Sequence, residues 1–112
     1  MQGKVEVSGV NTARLKVLNN EQTMELLRRT KAGDKKAREE LINGNLRLVL
    51  SVIQKFSSRG ENPDDLFQVG CVGHIKAIDG FDLSQPVRFP TYGVPMIIGE
   101  IRGYLRDNSA VR

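Results

Sequence analysis

"KKAREELINGNLRLVLSVIQKF", residues 35–56, sets the fold class. Ile42, Leu46, Val49, Ile53 and Phe56 recur at three- and four-residue steps, and Leu41, Leu48 and Val52 widen the stripe. Side chains at that spacing share one face of a helix and would bury it together. Asp34, just upstream, is a suitable N-cap. Gly44 interrupts the stripe at about 1 kcal/mol relative to alanine, a cost a long helix absorbs. One continuous helix is therefore expected here.

The flanks repeat the pattern. "NNEQTMELLRRTKAG", residues 19–33, predicts a short helix. Asn20 is the expected cap, Glu21, Thr23 and Glu25 suit its opening turns, and Gly33 suits the position just past its end. Downstream, "SSRGENP" breaks the chain before Pro63, which fits a helix start with Asp64 and Asp65 complementing the dipole. In "DDLFQVGCVGHIKAIDGF" the expected inward stripe is Leu66, Val69, Val72 or Gly73, then Lys76 or Ala77. After the loop "DGFDLSQP", a last helix is expected from near Pro90 to about Asp107. Residues 1–19 hold no sustained period and are expected to be a loosely ordered leader to a domain at 20–112. "DNSAVR" does not resemble a finished terminus, so a segment of a longer protein is expected. No stretch reads as a strand. The expectation is an all-α, compact bundle of about four helices.

Composition agrees. A chain of 112 residues suffices for one modest core. Aromatic content of 5% and the absence of tryptophan leave aliphatic side chains to fill it, which favours helix packing. The net charge of +4 permits a polyanionic partner without requiring one. Cys71 is the single cysteine, so no intrachain disulfide forms and a reducing cytoplasm is the expected setting. No apolar run approaches the ~18 residues of a membrane span, and no membrane partner is expected.

Catalysis finds little support. One histidine and one cysteine do not make a closed zinc site. Walker, nucleophile-elbow and His-Glu-x-x-His patterns are missing from the sequence. Asp64 and Asp65 are explained by the helix dipole, His74 by packing or a surface position, and Cys71 by its use as a small core hydrophobe or contact residue. No catalytic residue, metal or cofactor is expected.

Two features point toward nucleic acid. Gly70-x-x-Gly73 followed by Ile75-Lys76 resembles the GXXG loop of KH domains. Yet Cys71 and Val72 would make an apolar phosphate clamp, and no strands flank it. Two glycines three apart in a helix instead admit a second helix at close range, the reading favoured here. The other feature is "VRFPTYGVPMIIGEIRGYLRD", residues 87–107. Arg88, Phe89, Thr91 and Tyr92 precede a helix on which Arg102 and Arg106 share a face. Basic side chains track phosphates, and aromatic rings accept unstacked bases at about 1–3 kcal/mol each. A buried helix start with solvated arginines explains the same residues equally well.

"GNLRLVLSVIQKF", "RGENPDDLFQVGCVGHIKAIDGFD" and "VRFPTYGVPMIIGEIRGYLRD" stand in the order and spacing of region 2 of sigma-70-type RNA polymerase sigma factors. The chain resembles that family over residues 20–112, and "VPMIIGEI" together with the leader resembles its sporulation members. The resemblance implies a helical region 1.2/2 domain without its downstream sigma domains, and no catalysis of its own. It implies that Leu46, Arg47, Val49, Asp65, Gln68, Val69, Cys71 and Ile75 contact the coiled coil of the β′ subunit of core polymerase. It implies that Arg88, Phe89, Thr91, Tyr92, Gly99, Arg102 and Arg106 contact promoter DNA at the minus-ten element, with the tyrosine stacking on a flipped adenine. An anti-sigma inhibitor covering the β′-binding helices is the alternative partner, and self-association through an unoccupied docking surface is a further expectation. Several positions depart from the family pattern: Pro95 and Met96 replace two tryptophans, His74 a leucine, Pro90 a serine, Gly93 an alanine and Gly103 an arginine.

Overall fold

The computed structural model describes residues 18–59 and 61–111. They form α1 (Asn20–Lys31), α2 (Lys35–Gly44), α3 (Leu46–Ile53), a 3-10 segment (Gln54–Arg59), α4 (Pro63–Gly80) and α5 (Phe89–Val111). Among the described residues there is no strand. The expected all-α bundle is the observed architecture, and a KH-like loop flanked by strands is not. Most of the leader lies outside the described residues.

Local chemistry fixes the helix ends. Asn19, rather than the expected Asn20, caps α1. Its Oδ1 accepts from the Gln22 N–H at 2.8 Å while its own N–H donates to Gln22 Oε1 at 3.0 Å. This reciprocal pair satisfies two amide donors at once. Gly33 turns the chain with φ of 99°, a conformation strained for any side-chain-bearing residue. Asp34 then caps α2 by accepting from the Ala37 N–H at 3.0 Å. That bond, followed by the Arg29 guanidinium, holds its carboxyl below the usual range. Asn62 caps α4 ahead of Pro63, as the sequence predicts for the proline.

The single helix expected over 35–56 divides. Asn45, at φ −114° and ψ 15°, leaves the helical basin between α2 and α3. Leu18 packs over the same point: its Cδ1 lies 2.5 Å from where a β-carbon on Gly44 would stand. Glycine lets the leucine close over the end of α2. The Asn45 carbonyl then opens α3 by accepting from the Leu48 N–H at 3.0 Å. The last helix also begins and ends outside its expected bounds, and it carries Pro95 inside it. A proline there lacks the N–H that would bond the carbonyl of Thr91 four residues back.

Two apolar clusters share one spine. Val49, Leu50, Val52, Ile53 and Phe56 pack with Leu66, Ile97 and Ile101. Leu26, Leu27, Ala37 and Leu41 pack with Ala77, Ile78, Phe81 and Phe89. Helices α4 and α5 supply residues to both, so their crossing sets the remaining geometry. At that crossing a β-carbon on Gly73 would lie 2.8 Å from Ile97 Cα and 2.9 Å from the Met96 carbonyl oxygen. Gly70 faces Val49 Cγ1 at a corresponding 2.8 Å. The glycine pair therefore admits neighbouring helices, as the helix reading requires. Gly73, not Val72, is the buried member of the stripe; Val72 is 46% exposed. An ion pair between Lys76 and Glu100 at 2.7 Å also joins the two helices. Such half-exposed pairs contribute about 0–1 kcal/mol, so backbone proximity is the larger constraint.

His74 is fully buried in α4 with its ring edge-on to Phe89, centroids 5.8 Å apart. Among the described residues neither ring nitrogen has a hydrogen-bond partner. Burial disfavours the imidazolium and lowers the pKa from 6.5 to about 4. The unfolded chain therefore takes up the proton before the folded one. Stability from this residue is complete above about pH 6.5 and falls as the pH drops toward 4.

Two predictions arise from this packing. Gly73→Ala forces a methyl group into the α5 backbone and should cost about 1–3 kcal/mol, lowering the thermal midpoint measured by circular dichroism. Gly99→Ala on the open side of α5 should instead raise stability by about 0.5–1 kcal/mol; equal effects would refute the close-approach account. His74→Leu should remove a pH-dependent loss on the order of 3 kcal/mol between pH 6.5 and 4. Denaturant titrations across that range check it, and identical pH profiles for the two proteins would refute the assignment.

Candidate functional site

Each long helix presents one exposed stripe. On α4, Asp65, Gln68, Val72 and Lys76 are exposed at three- and four-residue steps, opposite the buried Leu66, Gly70, Gly73 and Ala77. Ile75 and Cys71 flank this stripe on one side and Val69 on the other, all half-buried. The result is an apolar strip with polar anchors near its start. Such a face is suited to capturing another helix. The Cys71 thiol is pushed up to about 11 by burial, so it stays protonated and acts as a packing group.

On α5, half-buried Tyr92 and exposed Pro95, Gly99, Arg102 and Arg106 follow one another at three- and four-residue steps along one side. Thr91 is exposed beside Tyr92, and Arg88 is exposed just before the helix. Arg106 lies 3.6 Å from Asp107, both more than three-quarters exposed, a pairing too solvated to occupy the guanidinium. The α4 and α5 stripes meet at an open groove of about 430 Å³ bounded by Val69, Val72, Gly99, Gly103, Tyr104 and Arg106. The groove exists because two of its α5 positions are glycines with no side chain to fill it.

Most of the site residues expected from sequence are at the surface. Asp65, Gln68, Arg47, Arg88, Thr91, Gly99, Arg102 and Arg106 are exposed, while Leu46, Val69, Cys71, Ile75 and Tyr92 are half-buried. Two are not available for direct contact in this conformation. Val49 and Phe89 are fully buried, so each supports the surface from within rather than forming it. Val49 closes on Gly70 of α4. Phe89 anchors the start of α5 in a ladder of edge-on rings: His74 to Phe89 at 5.8 Å, Phe89 to Phe81 at 5.6 Å, and Phe81 to Tyr92 at 5.8 Å. The ladder carries the position of the core out to Tyr92. Each such pair contributes about 0.5–1.5 kcal/mol beyond area burial.

Val72 is the residue that sequence reasoning missed. It is the exposed large hydrophobe among the described residues, centred on the α4 stripe. The period alone left Val72 and Gly73 interchangeable. The signal that separates them is the glycine itself, which belongs where a second backbone comes close.

Comparison with known proteins identifies the family. The family described as Sigma-70 region 2 matches residues 41–111, which include α3, α4 and α5. A chain of Bacillus thuringiensis subsp. kurstaki carrying a provisional RNA polymerase sigma-G factor name is 63% identical over 99% of this chain and 89% of its own length. The RNA polymerase sigma-G factor of Bacillus subtilis (strain 168) is 62% identical over 99% of this chain and 43% of its own length. The sigma-F factor of the same strain is 49% identical over the whole of this chain and 42% of its own length. The chain thus spans less than half of either B. subtilis protein, and it is nearer to sigma G than to sigma F. It belongs to the sigma-70 family of RNA polymerase sigma factors, as a region 2 domain close to that of sigma G.

Proposed function

We propose that this domain serves sporulation-specific transcription initiation by docking core polymerase through α4 and holding the melted minus-ten element on α5. The observation that carries the reading is a pair of surface stripes: on α4, exposed Asp65, Gln68, Val72 and Lys76 between half-buried apolar flanks, and on α5, a basic stripe with a tyrosine at its head. In this reading Asp65 and Gln68 orient the β′ coiled coil, and Val69, Val72 and Ile75 give it an apolar seat, with Leu46 and Arg47 of α3 at the flank. Burying such a strip between helices is favourable by about 25 cal/mol per Å² of apolar surface. The polar anchors set register rather than supply most of the energy.

On α5, Tyr92 stacks on an extruded base while Arg88, Arg102 and Arg106 meet phosphates and the upstream edge of the element. Extruding a base costs a few kcal/mol, and one stacking contact returns about 1–3 kcal/mol. The two terms nearly cancel, so melting depends on weakly stacked AT-rich steps. Pro95 and Met96 provide no large flat ring beside Tyr92, which makes that dependence stricter. Among the described residues no helix is long and apolar enough to cross a bilayer.

Titration calorimetry with a purified β′ coiled-coil fragment tests the docking half. The Asp65→Ala, Gln68→Ala pair should weaken binding at least about tenfold, or 1.4 kcal/mol, with helical content unchanged. Undiminished binding by the folded double variant would remove α4 from the interface. For the DNA half, Tyr92→Ala should leave core binding intact and lower open-complex formation about tenfold or more, corresponding to the loss of one stacked base. Unchanged permanganate reactivity at a minus-ten-dependent promoter would dismiss the stacking role.

A further inference from the structure

The ring of Tyr92 ends against Gly80, the last residue of α4. Its hydroxyl oxygen lies 2.8 Å from where a β-carbon on Gly80 would stand, and its Cζ lies 3.8 Å away. The same ring packs T-shaped with that of Phe81, centroids 5.8 Å apart, and Phe81 is itself buried. The tyrosine is thus lodged in a notch formed by the absent side chain of one residue and the ring of the next. Gly80 is not among the residues of positive φ, so nothing in its backbone calls for glycine. The contact with Tyr92 does.

We infer that Gly80 is a positioning residue for Tyr92: its missing side chain is the notch that parks the ring against Phe81, and the ring leaves that notch to stack on a base. The inference rests on the stacking role assigned to Tyr92 above, but its first half concerns this chain alone. A half-buried ring offers only part of its face to a ligand. A binding residue that spends most of its time parked lowers apparent affinity by the fraction of molecules with the ring free. Filling the notch with one methyl group meets the far end of a side chain with two rotatable bonds, not a backbone, so the ring is displaced and the helix is not. Alanine is also the better helix residue. Gly80→Ala should therefore fold normally and release the tyrosine.

The chain contains two tyrosines, Tyr92 and Tyr104, and no tryptophan, so Tyr104→Phe leaves Tyr92 as the dominant fluorophore. In that background Gly80→Ala should roughly double the acrylamide quenching constant of Tyr92, with the circular dichroism spectrum and thermal midpoint held or improved. Unchanged quenching in the folded variant would overturn the parked ring. The second arm uses core polymerase bound to this chain and a labelled single-stranded AT-rich oligonucleotide of minus-ten type. Gly80→Ala should tighten binding several-fold. Tyr92→Phe provides the control that separates positioning from general helix stabilisation, because it removes the atom nearest the notch. In the Tyr92→Phe background the Gly80→Ala gain should vanish; a gain of the same size would overturn the proposal in favour of an effect on helix stability. Freed quenching with oligonucleotide affinity unchanged, and unchanged also in Tyr92→Ala, would leave the notch in place and overturn its link to base stacking.

Discussion

Two helix backbones in near contact hold this domain in shape. At Gly73 the α5 main chain comes so close to α4 that even a methyl group would strike it. A steric limit of this kind is hard on one side and cannot be relieved by rotating a side chain. Because α4 and α5 each contribute to both apolar clusters, fixing their crossing fixes where α1, α2 and α3 can pack. It also fixes the two exposed stripes relative to each other. The nearby Lys76–Glu100 pair is compatible with the crossing but too solvated to set it.

The same crossing accounts for the division of labour in the aromatic residues. A domain with so few rings uses three of its four-membered ladder, His74, Phe89 and Phe81, inside the protein and brings one, Tyr92, to the surface. The ladder is a mechanical link between core and site. Placing a histidine in it has a cost, since a buried imidazole with no partner among the described residues gives up hydrogen bonds to water. In return the fold keeps an aromatic edge against Phe89 where an aliphatic chain would offer no ring. Positioning of the tyrosine is thus a property of the core as much as of α5.

Much of this was legible in the residues. The stripe from Ile42 to Phe56 gave the helical class, Asp34 and Pro63 marked helix starts, and Gly33 marked an end. The three motif blocks identified the family, and comparison with relatives supports it. What escaped the sequence depended on contacts between segments far apart in the chain. Gly44 looked like a tolerated flaw in one helix because nothing local shows that Leu18 lies across it. Phe89 was open to two readings, buried helix start or DNA-facing ring, because Arg88 and Thr91 beside it are polar; only its packing against Phe81 and His74 shows that it is buried. Val72 and Gly73 were equivalent by period and were told apart by the approach of α5. In each case local pattern specified an element, and tertiary packing decided which side of it faced inward.

Under the proposed function the outer stripe of α4 docks polymerase while the crossing with α5 stays closed. Backbone amide chemical-shift mapping of the 15N-labelled chain, titrated with the β′ coiled-coil fragment, tests it most directly. The largest shifts are expected at Asp65, Gln68, Val72 and Ile75, with Gly70, Gly73 and Ile97 little changed. Shifts concentrated on α1 and α2, or broad changes along the α4–α5 crossing, would contradict it.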